Sequence, residues 1–235
     1  MSATSKSPFP LLQPASTFEA DAITGNDWSA FCNLPTLHDH WTMKPWSPGQ
    51  AGYYWYITFD DRRLRDLVAQ CQATLAHDGI DPVPLDGLHL TLLNVGKVDK
   101  VSADQLSGVV TAVRASMAEV KPFDLSVGPL AGSRSAVRFS VTPWDALLDV
   151  HQRVREATAA YQPSSRLAQT SEFRPHLGVG YINRTQGAAP LIEDVAALRD
   201  LPAAEVRIDA IHLVELRRHG RQYRWDDRAV VALGG

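Results

Sequence analysis

The chain has 235 residues, 45% hydrophobic and 21% charged, with a formal net charge of −3. That is enough apolar material for a sizeable core in one domain or two small lobes, while a pI near 6.2 argues against a protein that grips long duplex nucleic acid through its phosphates. No run of about 18 apolar residues offers a membrane span, no apolar stretch near Met1 reads as a signal peptide, and Cys32 and Cys71 have no metal spacing, so a reduced, cytoplasmic protein is expected.

Residues 1–50 differ in texture from residues 51–235. The Ser- and Pro-rich stretch 1–14 reads as loosely held. Residues 34–52 lack periodicity but carry His38, His40, Trp41, Trp46 and three prolines. That aromatic content predicts an N-terminal extension whose latter part packs on the body. From Gly52 the pattern is regular. Residues 53–59 form a β-prone strand. Leu64, Leu67, Val68, Cys71 and Leu75 then follow helical spacing, capped by Asp60 or Asp61. Pro82, Pro84 and Gly87 break the chain before a strand at 88–95. Ser102 and Gln105 form a capping box for a helix with the stripe Leu106, Val109, Val110, Val113 and Met117. Residues 123–130 and 136–141 read as a hairpin around Ala131-Gly132-Ser133. Thr142-Pro143 opens a third helix, lined by Leu147, Val150, Val154 and Ala157. A polar loop, 162–174, leads to a strand at His176. A short helix at 192–198 and two closing strands, 206–216 and 223–233, follow. The order predicts an α+β protein with two pseudo-symmetric sheet-and-helix lobes around a central groove.

The most informative feature is a repeated pattern. His89-Leu90-Thr91-Leu92 and His176-Leu177-Gly178-Val179 each start a strand after a proline-bearing turn. In a strand, i and i+2 share a face. His89 and Thr91 then face one way, with Leu90 and Leu92 in the core. His176, Gly178 and Gly180 do the same in the second copy, and Tyr181 falls on the opposite face. Two such strands side by side put two imidazoles in one groove. Either histidine alone reads as a core residue bonded to backbone; the pair is what points to acid–base chemistry on a phosphodiester. The other histidines read as structural: His77 at a helix end, His151 beside an apolar stripe, His38 and His40 in packing or solvent, His212 and His219 near the last strands. Arg134 and Arg138 read as exposed hairpin charge. Arg174 is a candidate counter-charge for a phosphate next to His176. Tyr53, Tyr56, Tyr223 and Trp225 are candidates for stacking on a base, with Tyr53 and Tyr223 foremost.

The pair His89-Leu90-Thr91 and Phe173-Arg174-Pro175-His176 resembles the two-histidine phosphoesterases, the group that includes RNA 2′,3′-cyclic phosphodiesterases and 2′-5′ RNA ligases. Supporting pieces are Trp55-Tyr56-Ile57-Thr58-Phe59, the strand ending at Gly96, Leu213-Val214-Glu215-Leu216 and Tyr223-Arg224-Trp225. The likeness spans about residues 52–233. It implies a bilobal fold, His89 and His176 as catalytic base and acid, Thr91 on the phosphate oxygens, and no metal or cofactor. It also implies a monomer acting on a nucleotide or RNA end with a cyclic phosphate or a 2′-5′ linkage, away from membranes. One departure stands out: Gly178 occupies the second Thr or Ser position, so only its backbone is left to meet the phosphate. Three readings follow: a slower phosphodiesterase, a nucleotide- or RNA-end-binding module with weak or no turnover, or an enzyme on a small non-RNA cyclic phosphate.

Overall fold

The computed structural model describes residues 7–76, 78–162 and 166–234; His77 lies outside them. The elements in chain order are α1 (Ala20–Cys32), β1 (Thr36–Leu37), α2 (His40–Met43), β2 (Ala51–Thr58), α3 (Arg62–Thr74), β3 (Ile80–Pro82), β4 (His89–Lys97), α4 (Ala103–Met117), β5 (Phe123–Ser133), β6 (Ala136–Thr142), α5 (Asp145–Tyr161), β7 (His176–Ile182), β8 (Gln186–Gly187), α6 (Ala189–Ala196), β9 (Ala204–Ile208), β10 (Ala210–His219) and β11 (Gln222–Ala232). Two antiparallel sheets organise them, with β1 and β8 paired separately as a two-stranded ribbon. One has the order β11-β10-β2-β4 and the other β3-β7-β6-β5-β9. The α+β, two-sheet architecture expected from the sequence is the observed one.

The helices tie the sheets into one body by crossing over. Helix α3 follows β2 of the first sheet but packs on β7 and β9 of the second. Helix α5 follows β6 of the second sheet but packs on α4 and against β4 of the first. Their apolar stripes are those the periodicity implies: Leu64, Leu67, Val68 and Cys71 on α3, and Leu147, Val150 and Val154 on α5. Asp61 caps α3 by accepting from the Leu64 amide at 2.9 Å, and the Ser102–Gln105 capping box starts α4.

Two differences from the sequence reading bear on the site and the core. Residues 206–216 are not one strand. The chain breaks at Asp209: β9 edges the second sheet beside β5, and β10 crosses to the centre of the first. Helix α1 is not legible in the sequence, because only Ile23, Asp27 and Phe31 are buried along it. An acid in the middle of a stripe hides the helical period. Here Asp27 is buried because it meets Arg138 at 3.2 Å and accepts from Ser140 Oγ at 2.7 Å. Phe31 seats against β5, where a Cβ on Gly132 would lie 2.2 Å from its ring. The glycine is what lets helix and strand approach.

Residues 7–50 therefore share the core of the body. Ile23, Phe31 and Leu37 are fully buried within it, and Trp41 nearly so. Composition marks residues 1–14 as loosely held. In their described part, the carbonyls of Ser7, Phe9, Pro10 and Leu11 accept hydrogen bonds from Arg134, Arg138 and Arg174, and Pro10 and Pro14 are buried.

Candidate active site

Strands β4 and β7 open onto one cleft of about 480 Å³, and His89 and His176 both line it. The two imidazoles are held in the same way. His89 Nδ1 lies 2.9 Å from the Gly87 carbonyl oxygen, and His176 Nδ1 lies 2.7 Å from the Arg174 carbonyl oxygen. A carbonyl only accepts, so in each neutral ring Nδ1 carries the proton and Nε2 keeps a lone pair. No hydrogen bond among the described residues engages either Nε2. The spacing explains the symmetry: each histidine begins its strand, and the residue two back ends the turn before it.

Burial sets the protonation. His89 stacks on Tyr56 at 4.3 Å and meets the edge of Trp225 at 5.2 Å. Loss of water pushes its pKa down to about 4, the Gly87 bond opposes this, and the Lys44 charge adds to it. His176 is shifted the same way, first by loss of water and then by Arg138, Lys44 and His89. Its ring is open to the cleft, which keeps some water in contact and limits the shift. With both pKa values lowered, both rings are neutral at pH 7. An anion between them would raise both pKa values by direct Coulomb attraction.

Thr91 projects into the cleft beside His89 and is exposed there. It lies beside Tyr56, whose buried phenol has a pKa raised by loss of water and lowered by Thr91. Tyr223 also lines the cleft, but its hydroxyl is 3.1 Å from His40 Nε2.

Several sequence assignments move. Arg174 is not free to meet a phosphate: its guanidinium donates to the carbonyls of Pro10, Leu11, Ser171 and Phe173. It anchors the N-terminal segment. Tyr53 is no base platform, because it packs against the helix-side core. An odd offset separates it from Tyr56, so plain alternation puts it on the opposite face of β2, and Tyr54 and Tyr56 face the cleft instead. Arg138 is not exposed hairpin charge; it is 2% exposed, paired with Asp27, and lines the cleft.

The second motif is corrected most. β7 pairs Gly180 with Val137 and Gly178 with Arg138, so Val179 has no partner on β6. Such a bulge inverts the facing of everything beyond it. Gly180 does not face the cleft: a Cβ there would strike Ile80 Cγ2 at 2.5 Å. Tyr181 comes round to the cleft side with Gly178.

Sequence reasoning also misses two groups from the N-terminal extension. Lys44 lines the cleft and depresses the pKa of His40, His89 and His176. His40 is buried at its edge, with Nδ1 3.3 Å from Ser135 Oγ. Neither lies in a periodic segment, so no pattern flags them. Among the described residues, no group of three or more His, Cys, Asp or Glu side chains is gathered as a metal site.

Known proteins place this arrangement. A search of the curated proteins found no match. Among solved structures, LigT of E. coli complexed with phosphate superposes with a TM-score of 0.56 at 18% identity, over 79% of this chain and 99% of LigT. TT0787 of Thermus thermophilus gives 0.59 at 15% identity, over 79% and 98%. ATU0111 of Agrobacterium tumefaciens, a conserved protein of unknown function, gives 0.52 at 14% identity but spans 95% of this chain and 96% of its own. At these identities the likeness speaks for the fold alone. The sequence itself matches a family profile over residues 59–220. The chain belongs to the 2′-5′ RNA ligase superfamily, among the two-histidine phosphoesterases.

Proposed function

We propose that the protein is a phosphodiesterase acting on a 2′,3′-cyclic phosphate or a 2′-5′ linkage of a nucleotide or RNA end. The observation that carries this reading is the matched pair of imidazoles, each with Nδ1 tied to a carbonyl and Nε2 left for one shared cleft. For a cyclic phosphate the chemistry balances with two imidazoles alone. One Nε2 takes a proton from water as its oxygen bonds to phosphorus. The other imidazole, protonated once the anion is bound, gives its proton to the departing ribose oxygen as that P–O bond breaks. The product is a ribose monophosphate, and before the next cycle the base loses its proton to solvent while the acid takes one up. Thr91 binds a non-bridging oxygen, and Lys44 and Arg138 supply positive potential for the developing charge. LigT structures with phosphate and with 3′-AMP are consistent with a nucleotide ligand.

The N-terminal segment favours a small substrate. Ser7, Pro8, Phe9, Lys44 and Trp46 wall the cleft, and its volume suits one small ligand of ordinary size. The test is turnover of the four nucleoside 2′,3′-cyclic monophosphates and of 2′-5′ dinucleotides, with EDTA present. Hydrolysis by wild type, lost in His89→Ala and in His176→Ala, is expected. No turnover on the whole panel, or turnover that survives both substitutions, contradicts the reading.

A further inference from the structure

The second motif lacks its hydroxyl, and the structure offers another in nearly the same place. We infer that the Tyr181 phenol takes over the phosphate-binding role of the absent Thr or Ser, and that Gly178 leaves the space it needs. This rests on the proposed phosphodiesterase site and adds a ligand-contacting residue to it.

Three observations carry it. First, the unpaired Val179 turns Tyr181 to the cleft side of β7. Without that bulge its ring would point toward Ile80, where Gly180 now packs. Second, the Tyr181 phenol oxygen is 3.9 Å from where a Cβ on Gly178 would lie. A hydroxyl carried by residue 178 and the Tyr181 hydroxyl would therefore occupy the same corner of the cleft. Third, the ring is fixed and its oxygen is not engaged. It packs on His40 at 4.2 Å, meets Trp41 at 5.2 Å and Tyr223 at 5.6 Å, the latter two edge-on. No hydrogen bond among the described residues engages its hydroxyl. A donor held rigidly before the ligand arrives contributes most to charge stabilisation.

The electrostatics agree. Loss of water, helped by nearby Tyr223, drives the Tyr181 pKa up, so the phenol keeps its proton at neutral pH and donates. The device also gives the N-terminal extension a part in the site, since His40 and Trp41 clamp the ring.

Gly178 makes the idea testable by rescue. A Cβ there would meet only Val83 Cγ2 at 3.7 Å and the Tyr181 oxygen at 3.9 Å, both ordinary contacts. Four proteins are compared: wild type, Tyr181→Phe, Gly178→Thr and the double variant. The readouts are the affinity for inorganic phosphate by calorimetry and kcat/KM on a nucleoside 2′,3′-cyclic monophosphate. Thermal unfolding verifies that each variant folds. Tyr181→Phe is expected to weaken phosphate binding about tenfold and to lower kcat/KM about 10- to 1,000-fold, the range for one lost oxyanion donor. Adding Gly178→Thr to that variant is expected to recover most of both losses. Phosphate affinity and turnover unchanged in Tyr181→Phe would overturn the inference, as would a folded double variant with no recovery. The two readings separate cleanly. Turnover that needs both histidines but ignores Tyr181 sinks only this inference. Phosphate binding that depends on Tyr181 in a protein without turnover sinks only the phosphodiesterase. A wild type that binds no phosphate overturns both.

Discussion

His89 and His176 are set up to be neutral until a ligand arrives. Loss of water holds both pKa values down, to about 4 for His89, and an anion in the cleft would pull them up. Binding must then be linked to proton uptake. Sulfate is a suitable probe because it does not titrate in this range. Its affinity is expected to rise as pH falls from 7.5 to 5.5, with proton uptake visible as a buffer-dependent binding enthalpy. The dependence should flatten in the His89→Ala, His176→Ala double variant. An affinity indifferent to pH would contradict the linkage. Lys44 acts in two opposed ways. It would attract an anion in the cleft, and it also depresses both imidazoles. Lys44→Met is expected to weaken sulfate binding severalfold while moving the acidic limb of the kcat/KM profile to higher pH. A weaker affinity with an unmoved limb would mean that Lys44 does not face the histidines. At this scale the histidines and Thr91 are legible because a period of two predicts their facing. Tyr181 and Gly180 are not, because one unpaired residue changes the phase and leaves no mark in composition; Tyr53 falls on the face opposite Tyr56 by simple alternation. Arg174 and Arg138 escape for another reason: a charge tells nothing of its partner, here backbone carbonyls and Asp27.

Bulges decide what the strands present. The β2–β4 pairing shifts twice and β6–β7 once, all beside the cleft. Among the helices, α1 depends on one polar contact. Arg138 and Asp27 have side chains only 3% and 2% exposed. Removing one member of such a pair leaves a buried charge uncompensated, which typically costs about 3–5 kcal/mol. Asp27→Ala should destabilise the protein by about that much in urea unfolding. A loss below about 1 kcal/mol would show that water or Phe9 alone satisfies the guanidinium. Helices α3, α4 and α5 are legible because apolar residues recur at every turn of each stripe, and local side-chain caps start α3 and α4. Helix α1 is not, because its stripe includes the acid that this pair requires. The break at Asp209 leaves no signal because both flanking strands are β-prone, and only tertiary pairing decides which sheet each joins.

The two sheets and the N-terminal extension behave as one unit. Residues 1–50 supply Ile23, Phe31, Leu37 and Trp41 to the core, and Lys44 and His40 to the cleft. We propose that a chain starting at residue 51 does not fold stably. Limited proteolysis that trims rapidly to Gln50 and leaves an equally stable remainder would contradict this. The buried histidines also impose a pH dependence on the whole fold. His40 and His151 are 2% and 1% exposed, and loss of water lowers their pKa values to about 3 and about 4. Below the unfolded value near 6.5, the unfolded chain binds protons that the fold does not. Their contribution is therefore full above pH 6.5 and is lost as pH falls toward 4 and 3. Each lowers the unfolding free energy by up to about 1.4 kcal/mol per pH unit in that window. Urea unfolding at pH 7.5 and 5.0 should show lower stability at pH 5.0, with a shallower dependence in His151→Gln. Equal or greater stability at pH 5.0 would contradict it.

The central claim is that two imidazoles serve one phosphodiester as a unit. Groups that act together give non-additive losses. The direct measurement is kcat/KM on the best nucleoside 2′,3′-cyclic monophosphate for wild type, His89→Ala, His176→Ala and the double variant. Each single substitution is expected to cost about 10²- to 10⁴-fold, the range for a lost general acid or base, and the double variant little more than the worse single one. Wild-type turnover in either single variant, or losses that simply multiply, would contradict the account.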